Sequence, residues 1–375
     1  MKNWFKITML AALAAPLACS EVEVDEAPLK AVSFNVGTYS PQTRAEGDPV
    51  SVIGQYGIEA FSCRAYLHAQ GFAGTAQEFS DFFSPDTTTI SWHSDTKEWL
   101  PPHDYYWPKG QDSYIDFISW YGGKPTINYS KTGTTYGATF SWNLTEPLAT
   151  TENLMWADVA WRYKANAQKY TFDGVEEGVP TLFHHALAQV YFQARLSKVS
   201  DGDVSWEVKV TDFKLTKVRK TGSFSLKISD PGTNKTSAWE AGTGSEIGWT
   251  GLSGAGEISA SITNPITLSG ADKMILGWSS VLPQDLDATG NEVGISITYT
   301  VTTKYGTTVK TVEEPVPAVN ALLKEFKTGT GENINKWERN KRYTYTIIID
   351  PDTGVIKLIP VETDWVDAGS FDLTV

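Results

Sequence analysis

The sequence predicts an all-β protein built as two antiparallel β-sandwich domains in tandem. Three observations carry that expectation. Short segments alternate apolar and polar residues with a period of two, Gly, Pro, Asn and Ser punctuate them, and no strand-helix-strand rhythm runs along the chain. At 375 residues the chain also exceeds what a single apolar core usually serves, which argues for two domains.

The first alternation is Val32, Phe34 and Val36 with Ser33 and Asn35 between them, the pattern of a half-buried strand. A polar segment, residues 37–49, follows and contains Arg44-Ala45. From Pro49 to Gly178 the chain is aromatic-rich and holds seven of the 14 tryptophans, which by default pack in cores. Runs such as residues 114–121 and 136–142, bounded by turn residues, read as strands. The acidic, Gly-containing segment 175–180 ends in Pro180 and sets the expected junction, giving domains of residues 45–180 and 181–375.

Past the junction the alternation is cleaner. Ala186, Ala188, Val190, Phe192, Ala194 and Leu196 share one face, opposite Gln189, Gln193 and Arg195. Trp206, Val208 and Val210 alternate, whereas Phe213 and Leu215 have changed phase, so a bulge is expected between them. Residues 224–228 and 293–301 repeat the strand pattern. Residues 343–349 and 355–361 flank Asp350-Pro351-Asp352-Thr353-Gly354, a turn that predicts a hairpin. Helix is scarce, with residues 319–326 as the one short candidate.

At the N-terminus, Lys2 and Lys6 precede an apolar stretch from Ile7 to Ala18, which reads as an export signal over residues 1–18. Cys19 directly after it resembles the lipobox of bacterial lipoproteins, in which the cysteine is the lipid attachment point. Pro16 stands where that pattern prefers leucine, so ordinary secretion with a nearby cut is the alternative. Glu21, Glu23, Asp25 and Glu26 then form an acidic tether, either a surface-export tag or a charged linker.

The formal charge of −13 offers no basic stripe to a phosphate backbone, so nucleic acid is not expected as a partner. The five histidines lack ligand spacing for zinc, and His184-His185 points to opposite faces of a strand. Asp285, Asp287, Thr289 and Gly290 imitate the start of a calcium loop, but Ser296 stands where the bidentate acid belongs. Cys63 has no nucleophile context and reads as a buried or idle thiol. No catalytic residue, cofactor or metal is therefore nominated. A glycoside hydrolase, which needs two carboxylates about 5–10 Å apart, is the remaining enzyme reading.

Several phrases in shared order resemble the fimbrillin family of type V pilus subunits and surface lipoproteins. They are the segment from Val32 to Thr43-Arg44-Ala45, Tyr105-Tyr106-Trp107-Pro108, Asn153-Leu154-Met155-Trp156-Ala157, Phe183-His184-His185-Ala186, Leu282-Pro283-Gln284-Asp285-Leu286, and Trp337 with Lys341-Arg342-Tyr343. The resemblance implies two transthyretin-like domains and a lipidated precursor at the outer membrane, surface-exposed and then carried into a fimbrium. It also implies an arginine-specific protease cutting between Arg44 and Ala45, so that residues 19–44 leave with the strand of Val32, Phe34 and Val36. A neighbouring subunit would refill the groove with its C-terminal Phe371, Leu373 and Val375, while Arg44 as an ordinary loop arginine is the alternative. The expected partners are other pilus subunits, that protease, the membrane through the lipid, and a glycan or protein receptor. A monomeric glycan-binding lipoprotein is the second reading.

Overall fold

In the computed structural model the described residues are 31–38, 59–69, 79–83, 86–108, 113–132, 135–163, 178–229, 246–306, 312–328 and 330–364. The first part of the chain gives β1 (Phe34–Thr38), β2 (Ala60–Ala69), β3 (Phe79–Asp81), β4 (Thr87–His93), β5 (Glu98–Leu100) and β6 (Ser113–Tyr121). It continues with β7 (Thr126–Thr132), β8 (Thr135–Leu144), β9 (Met155–Ala157), β10 (Ala160–Tyr163) and β11 (Val179–His185). Next come β12 (Ala188–Leu196), β13 (Ser200–Asp201), β14 (Val204–Val218), β15 (Thr221–Ser229), β16 (Glu246–Ser253), β17 (Gly256–Ser259) and β18 (Ile266–Thr267). The last are β19 (Lys273–Val281), β20 (Gln284–Asp285), β21 (Gly294–Tyr305), β22 (Val312–Leu322), β23 (Lys336–Trp337), β24 (Lys341–Ile349) and β25 (Ile356–Asp364). The protein is all-β, with two distinct β-sheet bodies.

The first body is a ring. β6 pairs β9 and β2, and the path β9-β11-β1-β5-β4-β2 returns to β6, so the sheet closes on itself; β3 and β10 are added alongside. Closure removes the exposed edges that an open sheet must protect. Val32, Phe34, Phe61, Cys63, Ile115, Phe117 and Phe183 fill the interior. Outside, β7 and β8 join β15 and β16 in a four-stranded sheet whose Tyr129, Phe140, Trp142 and Phe224 pack on Tyr66, Ile118 and Trp120 of the ring. The strand β6 is therefore buried on both faces, and residues 115–120 are buried without alternation.

In the second body, the sheet β19-β12-β24-β25 faces the sheet built on β14, β21 and β22 across one continuous core. β12 alternates buried and half-buried residues along its whole length, as its sequence period predicts. The register between β14 and β21 breaks between Val210 and Asp212, where the phase of the sequence shifts. The hairpin β24-β25 pairs in register from Lys341 with Asp364 to Ile349 with Ile356.

Two features differ from expectation. Among the described residues the sheets are antiparallel except for β1 with β11 and β12 with β24, which run parallel. Both pairs join strands far apart in sequence, and periodicity carries no information on their direction. The expected helix over residues 319–326 is a strand end followed by a single 3₁₀ turn, Leu323–Glu325. Val319 and Ala321 pair with Ile297 and Ile295 of β21, and that ladder outweighs local helix propensity.

Ile347 is fully buried on β24 while Thr344 lies on the outer face. Ile347→Ala should lower the unfolding free energy by about 2–5 kcal/mol in urea titration, and Thr344→Ala by less than about 0.5 kcal/mol. Equal losses would mean that the two faces are not distinguished as described.

Candidate functional site

The element that stands out is β1, the seal of the ring. Val32, Phe34 and Val36 project inward at 1%, 3% and 3% exposure. Phe34 makes edge-to-face contacts with Phe61 and Phe117, at centroid distances of 5.7 and 5.6 Å. Phe61 in turn meets Phe183 at 5.2 Å and Trp99 at 5.4 Å. Burying these three side chains contributes about 5–9 kcal/mol at about 1.5–3 kcal/mol each, comparable to the whole stability of an ordinary domain.

The backbone of β1 is held from both sides. It runs parallel to β11, with Phe34 opposite Val179 and Thr38 opposite Phe183, and antiparallel to β5 through Phe34 and Trp99. Just before the strand, the Val32 N–H donates to the Tyr105 carbonyl at 2.7 Å, and the Val179 N–H donates to the Ser33 carbonyl at 2.7 Å. Gly178 enters β11 with φ +103°, and a Cβ there would lie 2.7 Å from the Phe34 carbonyl carbon and 2.9 Å from the Asn35 nitrogen. That close approach requires glycine. Sequence patterning finds β1 but not the residues that receive it, although Phe61, Cys63 and Ala65 do alternate with polar neighbours.

Of the other residues expected to act, Cys19, Arg44, Ala45, Phe371, Leu373 and Val375 lie outside the described residues. β1 ends at Thr38 and β2 begins at Ala60, so Arg44 and Ala45 belong to the connection between them.

Cys63 is fully buried inside the ring, and desolvation pushes its thiol up to about 12 despite hydrogen bonds to Ser119 and the Ile118 backbone. It is not a nucleophile at neutral pH. His184 stacks on Trp156 at 4.3 Å and contacts Asp158 at 2.9 Å, whereas His185 contacts Asn153 at 3.0 Å, so the adjacent histidines serve different neighbours. Asp116 is fully buried and accepts a hydrogen bond from the Tyr129 hydroxyl, which ties β6 to the outer sheet. Asp285 and Asp287 are exposed, and Ser296 is committed to β21. Among the described residues no group of three His, Cys, Asp or Glu side chains is placed to hold a metal ion.

Six of the seven tryptophans of the aromatic-rich segment are buried, Trp92 being the half-buried one. An aromatic-packed ring sealed by its first described strand, with a second β-core, defines an all-β protein of two β-sheet bodies. The chain belongs to the fimbrillin-like family, whose model matches residues 67–365. That membership, not the lack of a metal, separates it from enzymes. A fimbrial protein from Bacteroides vulgatus shares 15% identity at a TM-score of 0.51, over 89% of this chain and 99% of that one, which shows a common fold. A fimbrilin from Porphyromonas gingivalis aligns over 91% of this chain and 98% of its own, at 9% identity and a TM-score of 0.35. A search of curated proteins finds no match.

Phe34→Ala should cost about 3–5 kcal/mol in unfolding free energy. Gly178→Ala should lower the melting temperature and speed proteolysis of the leading segment; an unchanged melt would contradict the close approach. Because the Cys63 thiol is raised by burial, the stability linked to it is complete below the unfolded thiol value and is lost as pH rises from there toward about 12. A thiol reagent at pH 8 should label Cys63 only at the rate of unfolding, and fast labelling of the native chain would refute its burial.

Proposed function

We propose that this chain is a surface-exposed fimbrial subunit or adhesin, exported as a lipoprotein through Cys19 and anchored at the outer membrane. Its assembly proceeds by strand exchange: an arginine-specific protease cuts between Arg44 and Ala45, β1 departs, and the C-terminal Phe371, Leu373 and Val375 of a neighbouring subunit take its place. The observation that carries this reading is that β1 is the closing strand of the ring and, with Val32 just before it, places three alternate side chains in the core. The family membership supports a polymer-forming or adhesive role at the cell surface.

The physics follows from the ring. The connection between Thr38 and Ala60 is what joins β1 to the rest of the sheet, so a cut after Arg44 leaves β1 held by non-covalent contacts alone. Its loss opens two ladders and an apolar slot, and a strand from another chain restores both. The incoming strand must run parallel to β11 and antiparallel to β5, as β1 does. The spacing of Phe371, Leu373 and Val375 matches that of Val32, Phe34 and Val36.

The same reading divides the chain into the signal 1–18, the tether and removable strand 19–44, and transthyretin-like domains of residues 45–180 and 181–375. β11 keeps its pairing with the first sheet through His185.

Deletion of residues 371–375 should leave folded protein that stays monomeric after arginine-specific proteolysis, when the intact chain forms ladders on size-exclusion chromatography. Ladders of normal length from the truncated chain would overturn the exchange mechanism.

A further inference from the structure

The sheet β19-β12-β24-β25 turns one face to the core of the second body and the other outward. On β12 and β24 the outward residues include Tyr191, Gln193, Thr344 and Thr346, alternating with buried ones. Val361, Ile359 and Lys357 carry the same face onto β25, since they pair with Thr344, Thr346 and Ile348. The outward face of an antiparallel sheet is ordinarily polar. This one holds Met274 at 59% exposure, Val361 at 48% and Trp278 at 44%, with Ile348 and Ile359 half-buried among them. Large apolar groups gathered on one face, rather than scattered singly, mark an association surface.

The polar groups of the face are bonded to one another. Arg342 donates from Nε to Gln189 Oε1 at 2.9 Å, and its guanidinium lies 5.1 Å from the centre of the Trp278 ring, which meets Tyr191 at 5.1 Å. Gln193 donates from Nε2 to the Thr346 hydroxyl at 2.9 Å and to the Asp272 carboxylate at 3.0 Å. Groups bonded sideways within the sheet can be covered without being left unpaired.

The strand registers show what fits over it. Trp278 and Val361 stand at opposite edges of the sheet, level with Tyr191 and Thr344, and Met274 and Ile359 do the same one row on, level with Gln193 and Thr346. In the next row Asp272, 3.5 Å from Arg195, lies across the sheet from Lys357, which has no ion pair among the described residues. A two-fold axis along the strands lays β19 of one copy over β25 of another. It brings Trp278 to Val361, Met274 to Ile359 and the Asp272 carboxylate to the Lys357 ammonium, and symmetry makes each contact twice. A two-fold across the strands sets Ile348 against Arg342 and Lys357 against Thr363 instead, so the axis along the strands is the one that matches charge and apolar groups together. Four strands about 4.8 Å apart and nine residues of about 3.3 Å give a face of roughly 600 Å² per copy, or roughly 1,200 Å² for the pair, the lower end of specific interfaces.

We propose that this face is a pairing surface for a second copy of the chain, the two sheets packing side by side with their strands nearly aligned. Pairing over this area is weak and reversible, and the dilution of size-exclusion chromatography separates the copies. It uses neither β1 nor the residues beyond Asp364, so the inference stands apart from the strand-exchange reading.

Sedimentation velocity of the full, uncleaved chain over about a hundredfold range of concentration tests it, because with β1 in place no strand exchange takes part. The wild type should pass reversibly from monomer to dimer. Trp278→Ala should weaken pairing about tenfold or more, the loss of an aromatic anchor. Asp272→Lys and Lys357→Asp should each sediment as monomers, since each reversal makes like charges meet twice, whereas an equimolar mixture of the two variants should pair as the wild type does. Lys357 is exposed, so Lys357→Asp should keep the wild-type melting temperature, which separates lost pairing from misfolding. A wild type that stays monomeric throughout overturns the proposal. So does pairing that appears only once residues 365–375 are deleted, which would mean that the chain's own tail covers the face, and so does a dimer that both charge reversals leave intact.

Discussion

The architecture turns on the seating of Phe34 between Phe61 and Phe117, inside a sheet that its own strand closes. A closing strand serves two ladders and one core at the same time, so β1 contributes to the ring more than its five residues would contribute at a sheet edge. The parallel pairing with β11 explains the glycine at 178, since the two backbones approach there too closely for any side chain. The unusual aromatic content follows from the same design. A ring lined on the inside and covered on the outside needs large apolar groups on both faces of β6, and residues 115–120 provide them.

The second body is simpler and more regular. Its inner faces alternate cleanly because each sheet is covered on one side, and its bulge between Val210 and Asp212 keeps Phe213 and Leu215 in the core after the change of phase. The two bodies divide the physical tasks. The ring depends on a strand joined to it by one connection, whereas the sandwich closes its own core around β12 and β24 and leaves apolar groups on the outer face of their sheet.

Much of this was legible in the amino-acid sequence, and the reasons are specific. The face of Val190, Phe192 and Ala194, the hairpin around Asp350 to Gly354, and the bulge after Val210 are local patterns, and local patterns survive in one dimension. Ring closure is not local. Nothing in residues 60–69 or 113–121 announces that β2 and β6 meet, because pairing is set by the fit of distant side chains. Gly178 read as linker grammar, yet its role is to admit the backbone of β1. The segment 319–326 misled for the same reason, as its pairing with β21 outweighed its local propensity. For the site, β1 itself was visible through Val32, Phe34 and Val36. Its receiving aromatics, and the rows that set Trp278 level with Val361, emerged once the strands were set side by side.

Hydrogen exchange read by mass spectrometry is the most direct measure of whether β1 is a replaceable seal. The full chain would be followed intact, after cleavage by an arginine-specific protease with the leading segment removed, and again with further copies added. The account predicts that amides in residues 98–100 and 179–183 are protected in the intact chain, exchange quickly once β1 is gone, and regain protection when another copy supplies its tail. Undiminished protection of those amides after β1 has been removed would contradict it.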